Sequence, residues 1–149
     1  MLKLSRKTLL ALEAVIDIAF NARPEPVQAK EITARQGVPQ RYLEQVMQQL
    51  VRAGILKGVR GPRGGYRLAR ERRRISVGDV VRVAESIEDD EEKHTPRSDL
   101  GMRIVAPFVV TLQDELMTRL DSVSIEHLCQ RARHAGVEAG AENSADFTI

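Results

Sequence analysis

The stretch from Val38 to Ala69 constrains this chain more than any other part of it. Pro39 opens a segment in which Leu43, Val46, Met47, Leu50 and Val51 recur at helical spacing, which predicts a helix from about Pro39 to Ala53. Gly54 ends it. Ile55–Val59 and Tyr66–Ala69 then read as two short strands joined by Arg60-Gly61-Pro62-Arg63-Gly64-Gly65. Gly64 and Gly65 permit the positive dihedrals that a hairpin turn needs. The helix side opposite the apolar stripe carries Gln40, Arg41, Glu44, Gln45, Gln48, Gln49 and Arg52. Gln and Arg can pair with adenine and guanine edges, and Glu can accept from the cytosine amino group. Glu44 is therefore either a base reader or an orienting partner for an arginine; a solvated helix face is the bland alternative. A groove-sized polar helix followed by a ribbon tipped with Arg60 and Arg63 suits duplex DNA, with the ribbon in a minor groove or along phosphates. The glycine-rich turn joins two strands and lacks a Gly-Lys-Ser/Thr ending, which argues against a nucleotide cradle.

The segments before this stretch fit the same plan. Ser5 is placed to cap a helix running to about Asn21, with Leu9, Leu12, Val15, Ile16 and Ala19 as its apolar stripe. Arg6 and Lys7 lie in its first turn, where the helix dipole is already positive. Either they converge with the backbone N–H groups on a bound phosphate, or they are solvated surface charges. Arg23-Pro24-Glu25-Pro26 breaks the chain, and a short helix from Ala29 to Gln36 is expected to bury Ile32 and Ala34. Gly37 supplies the turn into the next helix. Two short helices joined this way match a helix-turn-helix.

After the hairpin comes the basic run Arg70-Glu71-Arg72-Arg73-Arg74, then a strongly signalled helix to about Ser86. Ser76 and Asp79 stand at capping-box spacing, Ile75 and Val80 at staple spacing, and Val77, Val80, Val81 and Ala84 form the packing side. Glu88–Pro96 is an abrupt acidic break, read as a mobile loop. An apolar segment follows from Leu100 to Leu120 and contains Pro107. Either a long helix kinks at Pro107 or the main helix starts there; a start at Pro107 is the favoured reading. Phe108, Leu112, Leu116 and Leu120, joined by Val109 and Met117, then line a stripe that needs a covering surface. A second copy of the chain is the economical cover, and packing back on its own head is the alternative. Ser124 can cap a last short helix to about Ala135. The expected architecture is mainly α with a small β-hairpin wing: a winged helix-turn-helix domain over 1–86, an acidic linker over 87–106, a dimerisation helix and short last helix over 107–135, and a tail without fixed structure over 136–149.

Charge is distributed to match. Residues 1–85 hold 17 Lys and Arg against 8 Asp and Glu, whereas residues 86–149 hold 6 against 13. The basic half attracts phosphate; the acidic half stays off it. With no apolar run long enough to span a bilayer, no signal-peptide core near Met1 and a single cysteine, Cys129, the expected setting is a reducing cytoplasm, away from membranes.

The residues resemble the Rrf2 family of bacterial winged-helix transcriptional regulators. The most specific stretch is Arg41-Tyr42-Leu43-Glu44-Gln45 with Ala53-Gly54-Ile55-Leu56 and Val59-Arg60-Gly61-Pro62-Arg63-Gly64-Gly65-Tyr66-Arg67-Leu68-Ala69. Ile75-Ser76-Val77-Gly78-Asp79-Val80-Val81 and Leu120-Asp121-Ser122-Val123-Ser124-Ile125-Glu126-His127-Leu128 add to it. The resemblance implies a homodimer held by the long helix on a pseudo-palindromic operator. It also implies base contacts from Gln40, Arg41 and Glu44, a wing contact from Arg60, and phosphate contacts from Arg6 and Lys7. Cluster-binding members carry three cysteines between the fourth helix and the dimer helix. Residues 86–106 here contain none, so no iron–sulfur cluster or other cofactor is expected.

The sequence does not name a signal. Cys129 is a redox candidate, although a small apolar residue buried on a short helix is the favoured reading. His94 beside Asp89–Glu92 reads as a solvated acidic loop, because histidines at 94, 127 and 134 lack ligand spacing, and no metal site is expected. A small-molecule effector in a pocket between head and long helix, or a partner protein, stays open. The expected function is a dimeric, sequence-specific DNA-binding regulator, with repression as its role. The alternative is a winged-helix interaction module acting through a partner enzyme. No nucleophile–base pair, paired carboxylates in an apolar setting or metal set supports an enzyme.

Overall fold

The computed structural model describes residues 4–87 and 95–139. The described residues form six α-helices and one small antiparallel hairpin at their edge: α1 (Arg6–Phe20), α2 (Ala29–Gln36), α3 (Gln40–Arg52), β1 (Leu56–Val59), β2 (Gly65–Leu68), α4 (Val77–Ser86), α5 (Ala106–Asp121) and α6 (Ile125–His134). Gly37, at φ 70°, makes the left-handed turn between α2 and α3. Helix α1 is the hub, touching α3, α4, α6 and β2.

The core-facing side of α1 differs from the expected stripe. Leu10, Ala11, Ala14, Val15, Ile18 and Ala19 are buried, whereas Leu9 is 53% exposed and Leu12 and Ile16 are only half-buried. Helical spacing weighted by side-chain size points to the larger residues. The close crossing of α1 with its neighbours instead takes the alanines inward, where a small side chain permits close approach. In α2, Ile32 is buried but Ala34 is exposed. A two-turn helix on the surface has room for one anchoring residue on its inner side.

Helix α3 is placed as expected. Pro39 is its N-cap, and Leu43, Val46, Met47 and Leu50 are buried beneath it. Val51 is half-buried at the margin. The hairpin pairs Leu56 with Leu68 and Val59 with Gly65. Its glycines work differently from the expectation. The positive φ belongs to Gly61, at 113°. Gly64 and Gly65 are required for space, because a Cβ on Gly64 would collide with the Val59 carbonyl and one on Gly65 with that of Val27. The close approach at Gly65 arises because Val27 pairs with Tyr66 through N–H···O bonds of 3.0 and 2.8 Å, adding a third edge to the hairpin.

Helix α4 begins in the expected capping box: the Asp79 N–H donates to Ser76 Oγ at 2.9 Å and the Ser76 N–H to Asp79 Oδ2 at 3.0 Å. The segment between α5 and α6 returns to this point. Val77 N–H donates to the Val123 carbonyl and Ile125 N–H to that of Ile75, both at 2.8 Å, so the far end of α5 is stitched to the head.

The long helix starts earlier than Pro107. Helical backbone begins at Asp99, passes through a π-helical turn at Gly101–Val105, and continues as α5 with Pro107 in its first turn. Pro107 has no N–H to offer the preceding turn, and its ring crowds the carbonyl four residues back. The wider turn, closed by Ala106 N–H to the Gly101 carbonyl, absorbs that misfit without ending the helix. No residue of α5 is buried.

Candidate nucleic-acid interface

Three elements bring the expected DNA-facing residues together. The N-terminus of α1 is fixed by Ser5, whose Oγ accepts from Thr8 N–H at 3.2 Å. Thr8 is fully buried, and its hydroxyl donates to Glu85 Oε1 on α4 at 2.7 Å. This anchor spans 77 positions of sequence, and no local motif signals it. It holds the first turn, with Arg6 and Lys7, against the head. The Arg6 guanidinium lies 5.8 Å from the centroid of the Tyr42 ring on α3, a cation–π contact that places this cation beside the first turn of α3.

On α3, Gln40, Arg41 and Gln45 are exposed and Glu44 is half-buried. Gln40 Nε2 donates to Glu44 Oε1 at 3.0 Å. The hydrogen-bond partner of Glu44 is therefore an amide of its own helix and not the arginine that one of the two alternatives for Glu44 named. Tyr66 of β2 stands within electrostatic reach of Glu44. Burial pushes its phenol above the ordinary value, and the Glu44 carboxylate adds to the rise. Tyr42 and Tyr66, both packed against the core, thus stand beside Arg6 and Glu44, and neither is among the residues expected at this face from the sequence.

Arg60 and Arg63 are exposed at the hairpin tip. The guanidinium of Arg67, farther down β2, donates to the Pro24 carbonyl and so ties the wing to the loop before α2. Phe108, Leu112, Leu116 and Leu120 lie on α5, apart from this face. Phe108 and Leu116 are exposed, Leu112 and Leu120 half-buried, and Leu120 reaches the head's core.

Cys129 is fully buried among core side chains of α6, and burial pushes its thiol up. A reactive thiol needs exposure and a lowered pKa; Cys129 has the setting of a packing residue. The acidic cluster Asp89–Glu92 and His94 lie outside the described residues, as do residues 140–149 of the tail. Among the described residues no helix is long and apolar enough to cross a membrane.

A family profile described as "Rrf2: Iron-dependent Transcriptional regulator" matches residues 4–131. The chain belongs to the Rrf2 family. It is 39% identical over 93 residues to the HTH-type transcriptional regulator IscR of Vibrio atlanticus, an alignment covering 62% of this chain and 54% of that protein. The chain spans about half the length of the curated relatives it matches. Among solved structures, T. potens IscR superposes with a TM-score of 0.72 at 32% identity, covering 95% of this chain and 96% of that one. CymR, the global cysteine regulator of B. subtilis, superposes with a TM-score of 0.69 at 30% identity, covering 88% and 98%. The winged-helix fold follows, and these relatives are regulators of transcription, not enzymes.

The profile's description raises the question of iron. The donor chemistry of this chain does not fit an iron–sulfur cluster. Its single cysteine is enclosed in the head's core, and residues 86–106 offer carboxylates, His94 and arginines in place of thiolates.

Proposed function

We propose that this protein is a homodimeric, sequence-specific DNA-binding repressor that works in the cytoplasm on a pseudo-palindromic operator and does so without an iron–sulfur cluster. The observation that carries the reading is the convergence at α3. Gln40, Arg41, Glu44 and Gln45 present major-groove chemistry, Arg6 stands beside them on Tyr42, and the wing extends Arg60 and Arg63 outward. In this reading α3 supplies sequence preference, while Arg6, Lys7 and the wing arginines supply grip on phosphate and groove. Helix α5 supplies the second half-site through the exposed Phe108 and Leu116 with the half-buried Leu112 and Leu120, because a helix with apolar side chains and no buried residue still needs a surface to cover it.

Genome-wide mapping of bound DNA, followed by fluorescence anisotropy on the recovered sites, tests the reading. The expected result is a two-fold symmetric site, bound as a dimer, whose affinity falls steeply with salt. Absence of binding to any genomic fragment, or binding indifferent to salt, overturns it. An absorption spectrum of anaerobically purified protein checks the cofactor: a visible iron–sulfur band refutes the cluster-free reading.

A further inference from the structure

A half-open groove of about 960 Å³ lies at the end of α1 opposite to Arg6 and Lys7. It is not between the head and the long helix, where the sequence left room for an effector. Its apolar surface includes Phe20 at the end of α1, Leu68 at the end of β2 and Val137 beyond α6. Around this surface stand Arg70, Arg72, Arg73 and Arg133 against only two carboxylates, Glu71 and Glu126.

The ion pairs leave the positive charge unevenly used. Glu126 is taken by Arg72, and Glu71 by Arg73 at 2.6 Å. Arg70 has only a 3.9 Å contact to Asp79, and Arg133 forms no ion pair among the described residues. Two guanidiniums with donors to spare among the described residues thus face a cleft whose other charges are paired with one another and whose remaining lining, Ala19, Phe20, Ala22, Leu68, Val137 and Ala139, is apolar. Its volume falls in the range of small-molecule sites, roughly 300–1,000 Å³. A planar guanidinium matches a carboxylate or phosphate with paired hydrogen bonds, and an apolar lining rewards a hydrocarbon body.

We propose that this groove binds an amphipathic organic anion, a small molecule with one carboxylate-like head and an apolar body, the head held by Arg70 and Arg133 and the body against Phe20 and Leu68. Its regulatory meaning rests on the DNA-binding reading above. The groove abuts two of the three elements that carry the expected DNA-facing residues, α1 and the wing. Leu68 ends the wing strand, and Arg72 reaches from the groove to the Ala19 carbonyl of α1 at 3.5 Å. Two residues earlier, Asp17 of α1 accepts from the Arg35 guanidinium of α2 at 2.8 and 2.7 Å. A ligand seated here touches the end of α1 and of β2, and reaches the helix-turn-helix only through the Asp17–Arg35 pair, away from the α3 face.

Isothermal titration of the full chain with octanoate, octanol and acetate tests the site. Octanoate should bind one per chain, and octanol and acetate each at least about tenfold more weakly. Arg70→Ala/Arg133→Ala should lose octanoate binding by about tenfold or more with an unchanged thermal midpoint, and Arg70→Lys/Arg133→Lys should recover part of it. Equal binding of octanol and octanoate, or a double alanine variant that binds like the wild type, overturns the proposal. So does a double alanine variant with weakened duplex affinity in the absence of octanoate, since the arginines would then belong to the DNA surface. Octanoate binding by a chain that binds no duplex would uphold the site and end the regulatory reading instead.

Discussion

Arg82 on α4 holds both carboxylate oxygens of Asp121, the last residue of α5, at 2.8 and 2.5 Å. The pair sits where the long helix meets the head, and it draws the Asp121 carboxyl below its ordinary value while raising the guanidinium. Gly78 completes the junction. A Cβ there would overlap the Asp121 carboxylate, so this glycine leaves the carboxylate free to reach Arg82.

That geometry makes Gly78→Ala and Arg82→Ala non-additive. Either change alone should separate Asp121 from α4, the first by displacement and the second by loss of the partner. The double variant should therefore unfold in urea close to the less stable single variant, short of the summed effects. Strict additivity would show that Gly78 and Arg82 act on separate features of the junction.

Glu44 and Lys7 should fail in different ways. Glu44→Ala removes a group that Gln40 holds in place on the proposed reading face. It should narrow the affinity gap between the operator and single-base variants by about 1–3 kcal/mol at the position it reads. Lys7→Ala should weaken all duplexes alike and lower the slope of log affinity against log salt by about one per subunit. Anisotropy titrations across several salt concentrations separate the two. A Glu44 effect that is the same on every sequence would move Glu44 from reading to positioning.

How much of this was legible in the chain depends on the range of the interaction. The α4 capping box and the Gly37 turn are written in three or four adjacent residues, and both formed where expected. The face of α1 was misjudged because its sequence holds two overlapping stripes, and only the tertiary crossing decides that Ala11 and Ala14 go inward while Leu9 stays out. The start of the long helix was misplaced because periodicity treats Pro107 as a boundary, whereas a π turn lets the backbone run through. That Gln40, Arg41, Glu44 and Gln45 stand away from the buried stripe of α3 follows from helix phase, and the structure leaves Gln40, Arg41 and Gln45 exposed and Glu44 half-buried; that they read bases is the proposal. The Thr8–Glu85 anchor and the places of Tyr42 and Tyr66 were not legible, since their partners lie on other elements.

Phe108→Asp tests the proposed role of α5. Phe108 is 62% exposed, so its replacement touches no packed core of the protomer. Sedimentation should show a dimer constant weakened on the order of 100-fold, with helix content by circular dichroism unchanged. Operator affinity should fall with it, because two half-sites would no longer be linked. An unaltered dimer would place the subunit contact away from the Phe108–Leu120 stripe.

Acid should act on the head through Glu31. Burial alone would raise this carboxyl. The hydrogen bonds from Arg23 at 2.7 and 2.8 Å and from Gln28 N–H at 2.8 Å, with the charges of Arg23 and Arg35, bring it below its ordinary value of about 4.5. A lowered carboxyl stabilises the fold fully above its unfolded pKa, and the benefit disappears as pH falls through the folded one. Glu31→Gln should therefore be less stable than the wild type at pH 7 by about 1 kcal/mol, a modest figure because the pair is partly exposed. The gap should close as the pH drops below about 4.5, where the wild-type carboxyl also takes up its proton. Urea unfolding of both proteins at pH 7 and in mild acid measures the gap directly. A gap that persists undiminished in acid would assign the cost of Glu31→Gln to lost packing and a weakened α2 cap instead of charge.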